Sequence, residues 1–310
     1  MALVLVSSKR FADHLTPVGH PERPERAEVL TAVATAFAAR GGVVLEPRSA
    51  TDADLERVHT REHIDLVVAT RGKATMIDED TFTSPETEHI ARLAAGAVLT
   101  GIDHVLDGPA GSKALVLVRP PGHHAEADRA MGFCFYNNVA VGAAYARSRG
   151  CARVAIVDYD VHHGNGTQWI FYEDPTVLFV SSQQYPFYPG TGAASEKGRG
   201  EGLGFTLNVP LDAGAQDAEI ERIYAEQVMP ALRQFKPDLL IISAGFDAHE
   251  LDPLGQLRMT TEGFVRLTGA LWGEAAALCQ GRVVMVTEGG YDLGAVSECL
   301  TAIVESSTPS

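Results

Sequence analysis

The chain has 310 residues, of which 45% are hydrophobic and 21% are charged, so it is long enough to bury a large core. No internal repeat, low-complexity tract or linker divides it, and we expect one domain over residues 1–310. Its 25 basic and 40 acidic side chains give a formal net charge of −15, which argues against binding to the phosphate backbone of nucleic acids and suits a cationic substrate.

The first residues of the chain and its cysteines indicate in which cellular compartment we expect the protein. The apolar opening "MALVLVSS" is too short for a signal peptide and has no basic region before it. No run approaches the roughly 18 apolar residues of a membrane span. We expect a cytoplasmic protein without membrane contact, and the sequence leaves a homo-oligomer open. The four cysteines form no C-x-x-C pair, so we expect reduced thiols that mostly serve packing.

Short apolar runs rich in β-branched residues alternate with helical patterns along the chain. The predicted strands are ALVLVS (2–7), GGVVLE (41–46), KALVLV (113–118), RVAIVD (153–158), TVLFVS (176–181), DLLIIS (238–243) and RVVMVT (282–287). The predicted helices cover residues 24–42, 84–106, 217–235 and 260–279, and Pro230 should kink or split the third. This alternation predicts an α/β fold, a single domain with a mostly parallel central sheet and helices on both faces.

Polar loops follow five of these strands. They are RPPGHHAEADRAMGF, YDVHHGNG, SQQYPFYPGTG, AGFDAHELDPLG and EGGYD. Because ligands of open α/β sheets bind outside the carboxyl ends of the strands, we expect these loops to converge on one crevice.

One loop carries a candidate metal site. Side chains alternate along an extended segment, so Asp158, Asp160 and His162 point to the same side. Asp247, at the end of another strand, is a natural third ligand beside Asp160 and His162. Two carboxylates, one imidazole and an open position are typical of a catalytic zinc site, or of a similar iron or cobalt site. An isolated D-x-H sequence more often contains a salt-bridged or capping aspartate, so its position at a strand end carries the argument.

His123 and His124 are candidate catalytic residues, although taken alone a His-His pair is more often a satisfied loop pair. Asp158 and Asn165 offer them two different partners. A carboxylate favours the charged imidazolium, whereas an amide leaves the ring closer to its intrinsic pKa of about 6.5. Such a difference predicts separate roles, one electrostatic and one as general base.

Aromatic side chains complete the candidate site. Tyr291 follows two glycines and can present its phenol to the crevice, or else be an ordinary buried tyrosine. Phe133 and Tyr188 can form an aromatic slot for a slender aliphatic chain, although such residues more often pack in loops or the core.

Six motifs, in this order, resemble the zinc-dependent histone deacetylase family and its bacterial acetylpolyamine amidohydrolase relatives. They are RPPGHHA, GFCFYNN, DYDVHHGNGTQ, YPGTG, SAGFDAHELDPLG and EGGYD, and HPERPERAEVL resembles the family's first helix region. The resemblance covers essentially the whole chain and implies the arginase-like α/β fold. Asn165, with AGFDA and EGGY, resembles class II-like bacterial members more than class I, where aspartate is usual.

The resemblance also implies roles for individual residues. The implied zinc ligands are Asp160, His162 and Asp247; the catalytic residues are His123, His124 and Tyr291. Asp158 and Ser181 match a monovalent-cation site, commonly K⁺, and Asn165 lies in the second shell of the catalytic pair. The implied substrate tunnel contains Gly132, Phe133, Tyr188 and Leu254. Arg26 falls where the family often has an arginine below the metal. Cys134 lies beside the tunnel, where packing is its expected role.

Substrate choice is the open question. The family's polyamine-selective branch has an acidic residue seven positions after the last zinc aspartate, where this chain has Leu254. This favours removal of acetyl or other acyl groups from lysine ε-amines over hydrolysis of acetylpolyamines or other small acetylated amines. His249 and Glu250 replace small residues of animal class II enzymes, and Glu250 can supply a negative rim. A catalytically inactive binding protein and a binuclear manganese ureohydrolase remain alternatives from other classes.

Overall fold

The computed structural model describes residues 3–307, and within them ten strands form two sheets. The strands are β1 Leu3–Ser7, β2 Val43–Leu45, β3 Thr75–Asp78, β4 Thr81–Thr83, β5 Lys113–Leu117, β6 Val154–Asp158, β7 Val177–Gln184, β8 Thr206–Leu211, β9 Leu239–Ala244 and β10 Val283–Thr287. Eight of them form a parallel sheet in the order β2-β1-β5-β10-β9-β6-β7-β8. Strands β3 and β4 form a separate antiparallel hairpin.

All seven predicted strands are present within one to three residues of their expected ends. Ala2, which the first prediction included, lies outside the described residues. The sequence analysis missed β8 and the hairpin. Strand β8 reads TLNVPL, and its Asn208 and Pro210 are poor strand formers that an edge position tolerates. The hairpin strands are only four and three residues long, too short for a clear alternation.

Helices follow most strands. They are α1 Glu25–Ala39, α2 Asp52–Leu55, α3 Arg61–Val68, α4 Thr87–Asp107, α5 Asn138–Ser148, α6 Asn165–Ile170, α7 Asp217–Ile223, α8 Met229–Phe235, α9 Thr261–Leu278 and α10 Leu293–Ser307. A π-helical turn, Tyr224–Val228, separates α7 from α8, and Pro230 lies in the first turn of α8. The predicted split at Pro230 is therefore confirmed, because proline cannot donate the hydrogen bond that a continuous helix needs.

The sheet has an apolar cluster on each face. On β6, Ala155 and Val157 pack in one cluster with residues of α1, α8, α9 and α10. Val154 and Ile156 point the other way and pack with residues of α4 and α5. Burial of both faces explains why the strands read as continuous apolar runs, and it confirms the predicted helix–sheet–helix arrangement. Among the described helices, none has the length and apolar character needed to cross a bilayer.

Parallel pairing brings the carboxyl ends of the central strands to one edge of the sheet. Strands β5, β10, β9 and β6 are consecutive neighbours in that sheet. The loops with the HH, EGGYD, AGFDA and DYDVHH motifs begin at their carboxyl ends. These loops form the floor of the site described next. The four cysteines are buried and unpaired, as expected.

Candidate active site

Asp160, His162 and Asp247 converge at the carboxyl ends of β6 and β9. Their potential ligand atoms all lie within 4.8 Å of one another. His162 Nδ1 is 3.1 Å from Asp160 Oδ1 and 3.1 Å from Asp247 Oδ2. Two carboxylate oxygens and an imidazole nitrogen at this spacing suit one divalent ion such as zinc.

Backbone groups hold both carboxylates in place. Asp160 accepts from the N–H groups of His162 and Gly289, each at 2.9 Å. Asp247 Oδ1 accepts from the Val161 N–H at 2.9 Å and leaves Oδ2 facing the histidine. One oxygen of each carboxylate, Asp160 Oδ1 and Asp247 Oδ2, therefore faces the imidazole of His162.

Glycines make room for this arrangement. A Cβ atom on Gly289 would lie 2.1 Å from Asp247 Oδ2 and 2.7 Å from Asp160 Oδ2. One on Gly245 would lie 2.1 Å from Asp160 Oδ2. All three distances are far below van der Waals contact, so only glycine lets the two carboxylates approach each other. The convergence is therefore built into the backbone, and the donor set fits a metal ion.

The local field attracts positive charge. Burial opposes the charged form of His162, yet the hydrogen bonds and charges of Asp160 and Asp247 raise the pKa of this imidazole to about 10. The field that holds a proton on His162 also favours a metal cation, whose binding would replace that proton.

The histidine pair lies beside these three residues with two different partners. His123 Nδ1 is 3.0 Å from Asp158 Oδ2, and His124 Nδ1 is 2.7 Å from Asn165 Oδ1. The ring centroids are 4.0 Å apart. The partners are those that the sequence analysis expected.

The two rings differ in charge. Burial disfavours an imidazolium at both positions, but Asp158 and Asp160 overcome it at His123 and hold the pKa of that ring well above its usual value. At His124, burial and the neighbouring His123 lower the pKa well below its usual value. The pair therefore presents one cationic ring and one neutral ring to the site.

Tyr291 approaches from the loop after β10. The ring is 7% exposed, and the Arg26 guanidinium lies 5.1 Å from its centroid. Arg26 also donates to the carbonyls of Glu288 and Gly290, both at 2.6 Å, and so lies directly beneath this loop. Burial keeps the pKa of the phenol well above its usual value, so the hydroxyl is a proton donor at neutral pH.

A cavity of about 180 Å³ leads to these groups. Its lining comprises Asp80, His124, Gly132, Phe133, His162, Tyr188, Leu254 and Tyr291. The structure thus brings together all four residues that the resemblance assigned to a substrate tunnel. Tyr188 lies at its outer end, 39% exposed and with its ring centroid 5.2 Å from that of His124.

The β3–β4 hairpin supports the part of the cavity wall formed by Gly132 and Phe133. Phe133 has a positive φ of 69°, a strained conformation for a bulky residue. Thr81 Oγ1 accepts from its N–H at 3.1 Å, and Asp80 Oδ1 accepts from the Gly132 N–H at 3.2 Å. A Cβ on Gly132 would lie 2.5 Å from the His124 ring, so glycine is required there.

Asp80 and Glu288 are two acids of the site that the sequence analysis missed. Asp80 lines the cavity, whereas Glu250, the acid expected at the rim, lies in a separate surface pocket with Leu251 and Glu262. Glu288 is fully buried and accepts from the N–H groups of Gly122 and His123 at 2.7 and 3.2 Å. Burial raises the pKa of its carboxyl to about 7. In the sequence, Glu288 stands in EGGYD directly after a predicted strand, and that position could have marked it as a site residue. Asp80 follows no such pattern.

Asp158 and Ser181 lie side by side on β6 and β7, which pair at these two residues. Both are fully buried, and Ser181 Oγ has no hydrogen-bond partner among residues 3–307. An orphaned hydroxyl oxygen beside a buried carboxylate fits a small cation. Cys134 is also fully buried, its Sγ 3.3 Å from the Gly132 carbonyl, and burial raises the pKa of the thiol, which agrees with a packing role.

Comparison with known proteins identifies the family. Histone deacetylase 15 of Arabidopsis thaliana is 42% identical over 294 residues, which span 92% of this chain and 52% of the relative. Polyamine deacetylase HDAC10 of Homo sapiens is 40% identical over 303 residues, which span 92% of this chain and 44% of the relative. The chain thus spans about half the length of these two relatives.

The fold comparison agrees with these relatives. The crystal structure of the HDA15 HD domain matches with a TM-score of 0.90 and 38% sequence identity, over 98% of this chain and 90% of that chain. This confirms the expected deacetylase-like fold. Residues 20–307 also match the Histone deacetylase domain. With both sequence and fold in agreement over nearly its whole length, the chain belongs to the histone deacetylase family.

Proposed function

We propose that the chain is a zinc-dependent amidohydrolase that removes acetyl groups from the ε-amine of lysine in proteins or peptides and releases acetate. One observation carries the proposal: Asp160, His162 and Asp247 converge, and His162 lines a narrow cavity together with His124 and Tyr291. Candidate metal ligands, a neutral imidazole and a phenol close to one point are the groups that metal-assisted amide hydrolysis uses, and they support the proposal.

Asp160, His162 and Asp247 would hold the zinc ion, whose chemistry when bound is to polarise the acetamide carbonyl and the attacking water. His124 is the general base, because its pKa is low enough to leave the ring neutral and ready to take a proton from water. It returns a proton to the leaving amine. His123, held cationic by Asp158, supplies positive charge next to the reaction.

Tyr291 donates its hydroxyl proton in a hydrogen bond to the oxyanion that forms on the acetamide carbonyl. The raised pKa of the phenol keeps that proton in place. The donor is pre-oriented by its surroundings, which is the condition under which such hydrogen bonds favour a transition state.

The proposed scaffold has two further parts. K⁺ would occupy the position beside Asp158 and Ser181 Oγ and stabilise the loop that carries Asp160. Residues 3–307 would act as one catalytic domain. Among these residues, groups able to ligate a metal converge in one cluster of three, which supports a mononuclear centre over a binuclear ureohydrolase.

Leu254 supports lysine as the substrate. It lines the cavity at the position where a carboxylate would bind the second ammonium group of a polyamine. The leucine side chain offers only apolar contact, which suits the aliphatic stem of a lysine. A second candidate, deacetylation of acetylpolyamines, is supported by Asp80, whose carboxylate lines the same cavity, and by the similarity to polyamine deacetylase HDAC10.

A side-by-side assay tests the proposal. Zinc-loaded protein is given acetyl-lysine peptides and monoacetylated polyamines, kcat/KM is compared, and Asp160→Ala provides the inactive reference. We expect the peptides to be preferred. A polyamine preference would favour the second candidate and direct attention to Asp80. Turnover of neither substrate by metal-loaded protein would contradict both.

A further inference from the structure

Asp252 joins two loops of the site that lie far apart in the sequence. Its Oδ2 accepts from the Tyr291 N–H at 2.6 Å and from the Asp292 N–H at 3.1 Å. Its Oδ1 accepts from the Leu254 N–H at 2.9 Å. The residue is only 6% exposed. Because all three donors are backbone amides, this one carboxylate fixes the path of the main chain on two sides of the cavity.

The phenol loop needs such restraint. Gly289 and Gly290 precede Tyr291, and Gly290 has a φ of +125°. Glycine has more backbone freedom than any other residue type, so this segment is not restrained by its own side chains. Arg26 donates hydrogen bonds to backbone carbonyls of this segment, and the Asp252 carboxylate accepts from its backbone N–H groups. The position of the phenol therefore depends on two side chains that contact opposite edges of the same loop.

The carboxylate also relates the phenol to the rest of the site. Asp252 lies in the loop after β9 that carries Asp247, five residues further along the chain. Leu254, which it also holds, lines the cavity together with Tyr291. Asp252 thus sets the separation between one cavity wall and the phenol.

We propose that Asp252 is a positioning residue that places the Tyr291 hydroxyl for the reaction, an inference that rests on the proposed function. Asp252 acts through Tyr291 and does not itself touch the substrate. Removal of its contacts should therefore lower turnover only as long as the phenol is present.

The test is a double-mutant cycle with Asp252→Asn and Tyr291→Phe, assayed on an acetyl-lysine peptide with zinc-loaded protein. An asparagine has one acceptor oxygen and an NH₂ donor, so it cannot accept from all three amides. We expect Asp252→Asn to lower kcat by about tenfold to a hundredfold with a smaller change in KM, because small displacements of catalytic groups have effects of that size. In the Tyr291→Phe background, the same change should lower kcat by less than about twofold.

Asp174→Asn is the matched control. The Asp174 carboxylate accepts from the N–H two residues ahead, that of Thr176 at 2.8 Å, in the same kind of turn, but it lies near the amino end of β7, away from the site. It should leave kcat unchanged in both backgrounds. If Asp252→Asn does not fold by circular dichroism, Asp252→Ser, which keeps one acceptor, takes its place in the cycle.

The outcomes separate the inference from the proposed function. Equal losses from Asp252→Asn in both backgrounds would mean a general structural effect and would overturn the inference alone. Wild-type kcat in Tyr291→Phe would overturn both the proposed role of the phenol and its positioning by Asp252.

Discussion

At the scale of single residues, Tyr291 offers the sharpest prediction. Tyr291→Phe removes one oxygen that has no part in the metal cluster, so zinc should stay bound while kcat falls by about two orders of magnitude, the typical loss for one oxyanion donor. Metal content by elemental analysis and kcat on an acetyl-lysine peptide measure the two quantities. Near-normal turnover in the metal-loaded variant would rule out the proposed role.

Residues with distinctive motifs were predictable at this scale, and residues without them were not. Asp160, His162 and Asp247 each follow a strand in a recognisable pattern, and the structure brings them within ligand distance. Asp80 lies in IDEDT, where three consecutive acids resemble a solvated turn. It reaches the cavity only because the hairpin folds back onto Gly132 and Phe133, a long-range contact that local sequence does not encode.

At the scale of secondary-structure elements, two glycines make a matched pair. Gly269 is exposed inside α9, and a Cβ there would meet no atom of the described residues 3–307 within 4 Å. Gly269→Ala should therefore raise the free energy of unfolding by roughly 0.5–1 kcal/mol, since alanine favours a helix over glycine. Gly289→Ala should instead weaken zinc binding, because its Cβ would overlap the Asp247 carboxylate.

Chemical denaturation and zinc titration of the two variants measure these effects. Unchanged zinc affinity in Gly289→Ala would contradict the argument that glycine is needed for the carboxylates to converge. Lower stability in Gly269→Ala would contradict the assignment of open space beside α9.

Secondary-structure elements with a clear sequence pattern were predicted, and elements without one were missed. The helices α1, α4 and α9 are long enough for their helical pattern to be recognised. Six of the seven predicted strands are mostly buried and read as continuous apolar runs, and β2, which is partly exposed at the sheet edge, reads VVL. Within residues 3–307, strand β8 pairs only with β7, and this pairing outweighs the poor strand preference of Asn208 and Pro210. The π turn before Pro230 was visible only as a break, because the sequence does not specify how the helix repairs it.

At the scale of the whole molecule, buried histidines predict sensitivity to acid. His59 Nδ1 lies 3.0 Å from the Glu126 carbonyl, and its Nε2 accepts from the Asn137 N–H at 2.9 Å. The ring is therefore neutral, since a second N–H would face the Asn137 donor. Burial lowers the pKa of His59 to about 3, against about 6.5 in the unfolded chain.

Because the folded-state pKa is the lower one, the unfolded chain gains the proton first as the pH falls. The contribution of His59 to the free energy of unfolding is fully present above pH 6.5 and is lost as the pH falls towards 3. This residue alone should cost about 2 kcal/mol between pH 7 and pH 5. Urea denaturation of wild type and His59→Gln at both values measures it. The gap between the two proteins should narrow by that amount at pH 5, and a constant gap would contradict the account.

The order of the central strands also determines when the site can form. The segments of β5 and β10 contact one another across 169 positions of the chain, as where Thr287, at the end of β10, accepts from the N–H of Val118, the residue after β5. Contacts between such distant segments are slow to form because a long loop must close first. During synthesis, β10 leaves the ribosome after the loops with the histidine pair and all three candidate metal ligands. Those loops gain their final neighbours only when this late strand enters the middle of the sheet, so the cluster of Asp160, His162 and Asp247 and the histidine pair reach their final geometry in the last stage of folding.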